Sequence, residues 1–226
     1  MLPKPDAGRS DYMRGCLGYA AAGLGLLLAT PALSHPHIFA EARLEIVAAD
    51  DGTVKELRNV WRFDDVFSSS VLMDFDKNSD LKLDHKELQE IAHTIRESLG
   101  DYSYFTFISK DGASSEVAKP DVFNVDYKDN QLLVFFIAKP KTPLKIGGRM
   151  NFGVYDPTLY TAIDFAKDSD IVVEGKGFAG CKHTVVRPDP DQVIAQNQSN
   201  LTEAFFNDPA GTDMGKLFAT RLELTC

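Results

Sequence analysis

Oxygen-bearing side chains recur at fixed intervals in the run Asp76-Lys77-Asn78-Ser79-Asp80-Leu81-Lys82-Leu83-Asp84-His85-Lys86-Glu87. With Asp76 as position 1, Asp76, Asn78, Asp80, Asp84 and Glu87 occupy positions 1, 3, 5, 9 and 12, the spacing of an EF-hand calcium loop. Calcium takes six to eight hard oxygen ligands, so short acids at alternate early positions wrap the ion. The backbone carbonyl of Lys82 at position 7 adds one ligand, Asp84 binds directly or through water, and the longer Glu87 closes the shell with both oxygens. Position 6, where the chain turns with φ > 0 and Gly is usual, holds Leu81, at a cost of about 1–2 kcal/mol. A solvated acidic turn between two helices is the other reading of the same residues.

A second candidate needs the start of the chain. Lys4, Arg9 and Arg14 precede an apolar run from Leu17 to Ala29, and Thr30-Pro31-Ala32-Leu33-Ser34 follows. Basic, apolar and small-residue zones in that order read as a secretory signal peptide cleaved after Ser34. The apolar run falls short of the ~20 residues that span a membrane, so no integral segment is expected after cleavage. The mature chain then begins His35-Pro36-His37, in a sequence with only five histidines. On an extended segment residues i and i+2 face the same way, so His35 and His37 can address one ion, with the α-amine as a further nitrogen donor. Nitrogen ligands suit zinc, nickel, cobalt or copper. Two solvated histidines at a frayed terminus are the plainer alternative. His183 is a distant third ligand at most, and His85 and His93 read as surface residues.

Composition narrows the partners. The formal net charge is −9, and loss of the leader's three basic and two acidic residues makes it one unit more negative. Nucleic acids and anionic membranes call for a basic footprint, so neither is expected as a partner. Cys16 leaves with the leader. Cys181 and Cys226 remain, and in an oxidising compartment they read as a disulfide, with thiolate metal ligation as the alternative. No nucleophile-base constellation, Gly-Xaa-Ser-Xaa-Gly or His-Glu-Xaa-Xaa-His occurs, so no enzymatic activity is expected.

The elements that must hold these candidates follow from periodicity. Ile38 to Ala48 and Val54 to Phe63 alternate around Asp50-Asp51-Gly52 and predict a β-hairpin. Val66, Phe67, Ser70, Val71 and Phe75 before the acidic loop, and Leu88, Ile91, Ala92, Ile95 and Leu99 after it, stand at helical spacing, giving helix, loop, helix. Strands are predicted over 102–109, 122–127, 131–138, 144–155, 160–165, 171–174 and 182–187, then a short helix over 191–206 and a closing segment over 217–224. The fold class is α+β: a mainly antiparallel β domain over 35–226, with an EF-hand-like insertion at about 64–99 and a short C-terminal helical segment. Asp64, Asp65, Asp156 and Asp164 are further acids that could complete a metal shell.

His35-Pro36-His37-Ile38-Phe39, Trp61-Arg62-Phe63-Asp64 with Phe67, the acidic loop and Tyr155-Asp156-Pro157-Thr158-Leu159-Tyr160 together resemble a bacterial family of periplasmic proteins of unknown function. That family is catalogued as a periplasmic component of an ABC-type transport system and associated with nickel/cobalt-type permeases. The resemblance implies a periplasmic accessory protein that buffers a transition metal or delivers it to a metal-ion permease or other transport component, with the calcium-type loop as a structural clip. His35 and His37 match the family's opening motif, and Leu81 departs from the expected Gly. A calcium-dependent interaction module with no transition-metal role is the alternative function.

Overall fold

Alternation of side chains sets the first two strands. In β1 (Ile38–Ala48), Ala40, Ala42, Leu44 and Ile46 are buried while Glu41 and Arg43 face solvent, and β2 (Val54–Phe63) buries Leu57, Asn59, Trp61 and Phe63. They pair antiparallel from Ala40↔Phe63 to Ala48↔Val54, with an irregularity between Val47 and Ala48, as the hairpin pattern predicts. The computed structural model describes residues 36–197 and 215–226.

Two helices follow, α1 (Asp65–Phe75) and α2 (His85–Ser98), and then β3 (Thr106–Lys110), β4 (Ala113–Ser115), β5 (Val117–Ala118), β6 (Phe123–Lys128), β7 (Gln131–Pro140) and β8 (Arg149–Val154). The chain continues through β9 (Thr161–Asp164), β10 (Ile171–Glu174), β11 (Lys182–Val186), α3 (Pro190–Gln196), α4 (Gly215–Phe218) and β12 (Arg221–Thr225). A seven-stranded sheet runs β10-β1-β2-β7-β5, with β6 also on β7 and β9 also on β1, and a five-stranded sheet runs β11-β12-β8-β3-β4. Pairing is antiparallel except that β9 and β10 lie parallel to β1, along successive stretches of its outer edge. One apolar core draws on both sheets, and Trp61 stands in it 6.1 Å from the Phe105 ring and 4.9 Å from that of Phe136.

Three expectations change. The strand predicted over 102–109 begins only at Thr106, because Gly100–Phe105 forms a 3₁₀ turn in which Ser103, Tyr104 and Phe105 take left-handed φ so that both rings enter the core. The strand predicted over 144–155 begins at Arg149, because Gly147 and Gly148 take positive φ and break it; at Gly148 a Cβ would lie 2.6 Å from the Asp111 carboxylate. On α1, Val66 and Ser70 point outward, Val66 being 81% exposed, and Ser68 and Val71 face inward. The helix expected over 191–206 is seen over Pro190–Gln196, and its remainder lies outside the described residues, as does the leader.

Asp64 is the joint between strands and helices. Its Oδ2 accepts from Phe39 N (2.9 Å), its Oδ1 accepts from Val66 N and Phe67 N, and its own amide donates to Phe39 O (2.9 Å). Burial pushes the Asp64 carboxyl up, but the amides of Phe39, Phe67 and Val66 outweigh it and hold the group below the usual value. Ser68 then ties α1 to β7: its hydroxyl donates to Asp64 O (2.6 Å) and accepts from Leu132 N (2.9 Å). Gln131 Nε2 reaches Asp65 Oδ1 beside it (3.0 Å), and Lys119 Nζ meets Glu97 (2.7 Å) on α2.

Cys181 and Cys226 form a disulfide, just beyond the β11–β12 ladder that pairs Lys182 with Thr225. It closes a separation of 45 residues, for which chain entropy gives about 4 kcal/mol. Reduction, or a Cys181→Ser and Cys226→Ser pair, is expected to lower unfolding free energy by about 2–4 kcal/mol in urea titration. Asp64 gives a second expectation. Its depressed folded-state pKa makes its contribution full above the unfolded value and lost as pH falls through the folded one. The stability gap between wild type and Asp64→Asn should therefore be constant above about pH 5 and shrink below about pH 4, read from urea midpoints across pH.

Candidate metal centre

The loop between α1 and α2 is built by its own acids. α1 ends where Asp76 leaves helical geometry (φ −72°, ψ 85°) while still donating to Leu72 O. α2 starts at Asp84, whose Oδ1 accepts from Lys86 N (2.8 Å) and Glu87 N (2.9 Å), while Glu87 Oε2 accepts from Asp84 N (2.8 Å), a reciprocal capping box. Between them, Asp76 Oδ1 and Oδ2 accept from Asp80 N (3.1 Å) and Leu81 N (2.8 Å), Asn78 Oδ1 from Asp80 N (2.9 Å) and Asp80 Oδ1 from Lys82 N (2.9 Å). Glu87, buried at 5% exposure, closes the ring by accepting from Lys77 N at 2.9 Å.

Every expected side-chain ligand is thus turned onto backbone amides of this loop or of the first turn of α2. Lys82 enters through its backbone alone, its side chain exposed. Leu81 takes φ 60°, the left-handed turn required at position 6, with its side chain 76% exposed. A carboxylate oxygen has two acceptor sites, so one amide bond leaves capacity for a cation. Among the described residues no three His, Cys, Asp or Glu side chains are gathered closely enough to hold an ion. Binding calcium would draw the acids together from their amide partners, against the mutual repulsion of Asp76, Asp80, Asp84 and Glu87.

His37 lies at the mouth of β1, exposed, its amide donating to Tyr160 O (2.9 Å) and its ring 5.0 Å from that of Tyr160. His35 lies outside the described residues. His183 is on β11 opposite Leu224, in the other sheet. His93 is exposed on α2, and the His85 ring meets Gln89 Nε2 at 3.0 Å. The further acids serve local structure. Asp64 caps α1, and Asp65 accepts from Gln131. Asp156, 3% exposed, accepts from Thr158 N, Thr158 Oγ1 and Thr161 N, and Asp164 accepts from Thr220 Oγ1 (2.8 Å).

One relation escapes any linear reading. His37-Ile38-Phe39, Phe63-Asp64 and Asp156-to-Tyr160 converge on one end of β1: Asp64 takes the amide of Phe39, while the amides of His37 and Ile38 both reach Tyr160 O. The parallel pairing of β9 with β1, from Ile38↔Thr161 onward, brings the last segment there. The periodicity of β9 gives no sign of its partner.

The model of a family described as a protein of unknown function (DUF1007) matches residues 20–226. No curated protein matches the chain.

Leu81 offers a direct test of the loop geometry. Replacing it with Gly removes a left-handed strain of about 1–2 kcal/mol and adds about 0.5–1 kcal/mol of unfolded-state entropy. Leu81→Gly is therefore expected to stabilise the protein by up to about 1 kcal/mol in denaturant titration, whereas Leu81→Val should destabilise it.

Proposed function

The chain belongs to that family of proteins of unknown function, and since membership brings no activity with it, we propose a function from its own residues: a metal-binding accessory protein whose loop between α1 and α2 holds calcium in EF-hand fashion. The observation that carries this is the twelve-residue ligand spacing joined to Leu81 at φ 60°, the left-handed conformation that an EF-hand loop takes at its sixth position. The flanking helices supply the rest of the unit. Calcium serves there as a clip between α1 and α2. An affinity of about 10⁻⁴–10⁻³ M suffices in an exported, periplasmic protein, where external calcium is plentiful.

Transition-metal delivery to a permease is the second reading, with zinc, nickel, cobalt or copper at His35 and His37. It is favoured by the convergence at the end of β1, which fixes the backbone of His37 against Tyr160 and sets its ring beside an aromatic neighbour. In this reading the histidine pair precedes β1 in the sequence, and the calcium clip stabilises the domain.

The experiment is a calcium titration of metal-stripped protein by calorimetry and thermal unfolding. Calcium at ten times its Kd should add about 1.4 kcal/mol, a rise of about 3–6 °C in Tm, abolished in Asp76→Ala and Glu87→Gln. No shift by about 10 mM calcium would overturn the calcium reading. Zinc, nickel, cobalt and copper titrated in parallel test the second reading, which requires near-stoichiometric binding that His35→Ala or His37→Ala removes.

A further inference from the structure

The five-stranded sheet has two unlike faces. Ile108, Phe152 and Leu222 are buried in the core from neighbouring positions on β3, β8 and β12. On the opposite face lies a cleft of about 1070 Å³, bounded by the β3–β4 hairpin on one side and by α3 and α4 on the other. Its volume matches the upper range of small-ligand sites, about 300–1,000 Å³.

Register lays out the floor in two rows. Phe107, Gly153 and Arg221 stand side by side across three strands, and Ser109, Asn151 and Glu223 form the next row. Gly153 leaves the first row open at its centre. A Cβ there would meet the Tyr155 ring at 3.5 Å and Arg221 Cβ at 3.9 Å, ordinary contacts, so the Tyr155 ring lies close over the bare backbone. Phe107 and Tyr155 stack at 4.1 Å and 17°, an apolar pair beside Gly153.

Several of the charged side chains of the cleft are held in ion pairs. Among the described residues, four basic and three acidic side chains line it. Arg221 bonds Glu223 Oε1 through Nη2 (2.8 Å) and Nε (3.0 Å), Arg187 bonds Asp168 (2.8 Å), and Glu116 is held by Lys141 (2.6 Å). An ionic ligand would compete with those pairs, while a neutral one can hydrogen-bond to them intact. Neutral polar groups complete the lining. Asn151 Nδ2 donates to Ser109 Oγ (3.2 Å), which leaves the Ser109 hydroxyl proton to donate and the Asn151 carbonyl oxygen to accept.

We infer that this cleft binds a neutral oligosaccharide. A pyranose ring offers a C–H face to lie against the Phe107–Tyr155 pair, and hydroxyls that donate and accept at once, as Ser109, Asn151 and the Arg221–Glu223 pair require. The inference is independent of the metal reading. It is tested on the full disulfide-bonded chain with maltotriose, cellotriose and chitotriose, by calorimetry and saturation-transfer NMR. At least one should bind with a Kd of about 1 mM or tighter, weakened about tenfold or more by Phe107→Ala, by Gly153→Val and by Asn151→Ala, each checked for an unchanged Tm. Absence of binding at about 10 mM sugar overturns the inference. So does binding that survives all three substitutions, or tighter binding of trigalacturonate than of the neutral sugars.

Discussion

The carboxylate of Asp64 is the constraint on which the arrangement of strands and helices depends. It takes three backbone amides from two elements: one at the mouth of β1 and two in the first turn of α1. A partly buried carboxylate is stabilised by such partners, and these amides would otherwise be left unsatisfied by the abrupt change from strand to helix. The direction in which the helical pair leaves the hairpin is set there, and Ser68, one turn later, fixes it against β7. With α1 pinned at its start and α2 held near its end by Glu97 and Lys119, the acidic loop between them spans two anchored walls.

That anchoring explains how acidic side chains coexist in a short loop. Each is neutralised in part by amide dipoles, and Glu87, the most buried of them, joins both halves of the loop through Lys77 N and Asp84 N. The loop's shape is thereby written into its own hydrogen bonds. Any cation arriving there would compete with those amides for acceptor sites.

Much of this was legible in the sequence wherever the determinant was local. Alternation specified β1 and β2, helical spacing specified α2, and two cysteines in the predicted mature chain specified their bond. What escaped was non-local or conformational. Nothing in Thr161–Asp164 or Ile171–Glu174 announces a parallel partner more than a hundred residues away. Tyr104 and Phe105 read as strand because aromatic residues favour sheets, yet burial of their rings prevails over the cost of left-handed backbone. Of the candidate sites, the loop spacing was readable and the setting of His37 was not, since Tyr160 reaches it only through the β1–β9 pairing. The Gly153 row was likewise invisible, because a glycine's neighbours across a sheet are set by register alone.

The two broken margins of the seven-stranded sheet carry a consequence for behaviour at high concentration. β9 and β10 divide the outer edge of β1 between them, and β6 and β5 divide that of β7. Long strands with bare edges invite pairing with another molecule, whereas short interrupted ones offer a second chain only a few consecutive unpaired amides. The two longest apolar strands of the hairpin and its neighbour are thus kept inside the sheet. Along these two margins a crowded population of molecules would find only short stretches of continuous edge on which to build intermolecular sheet.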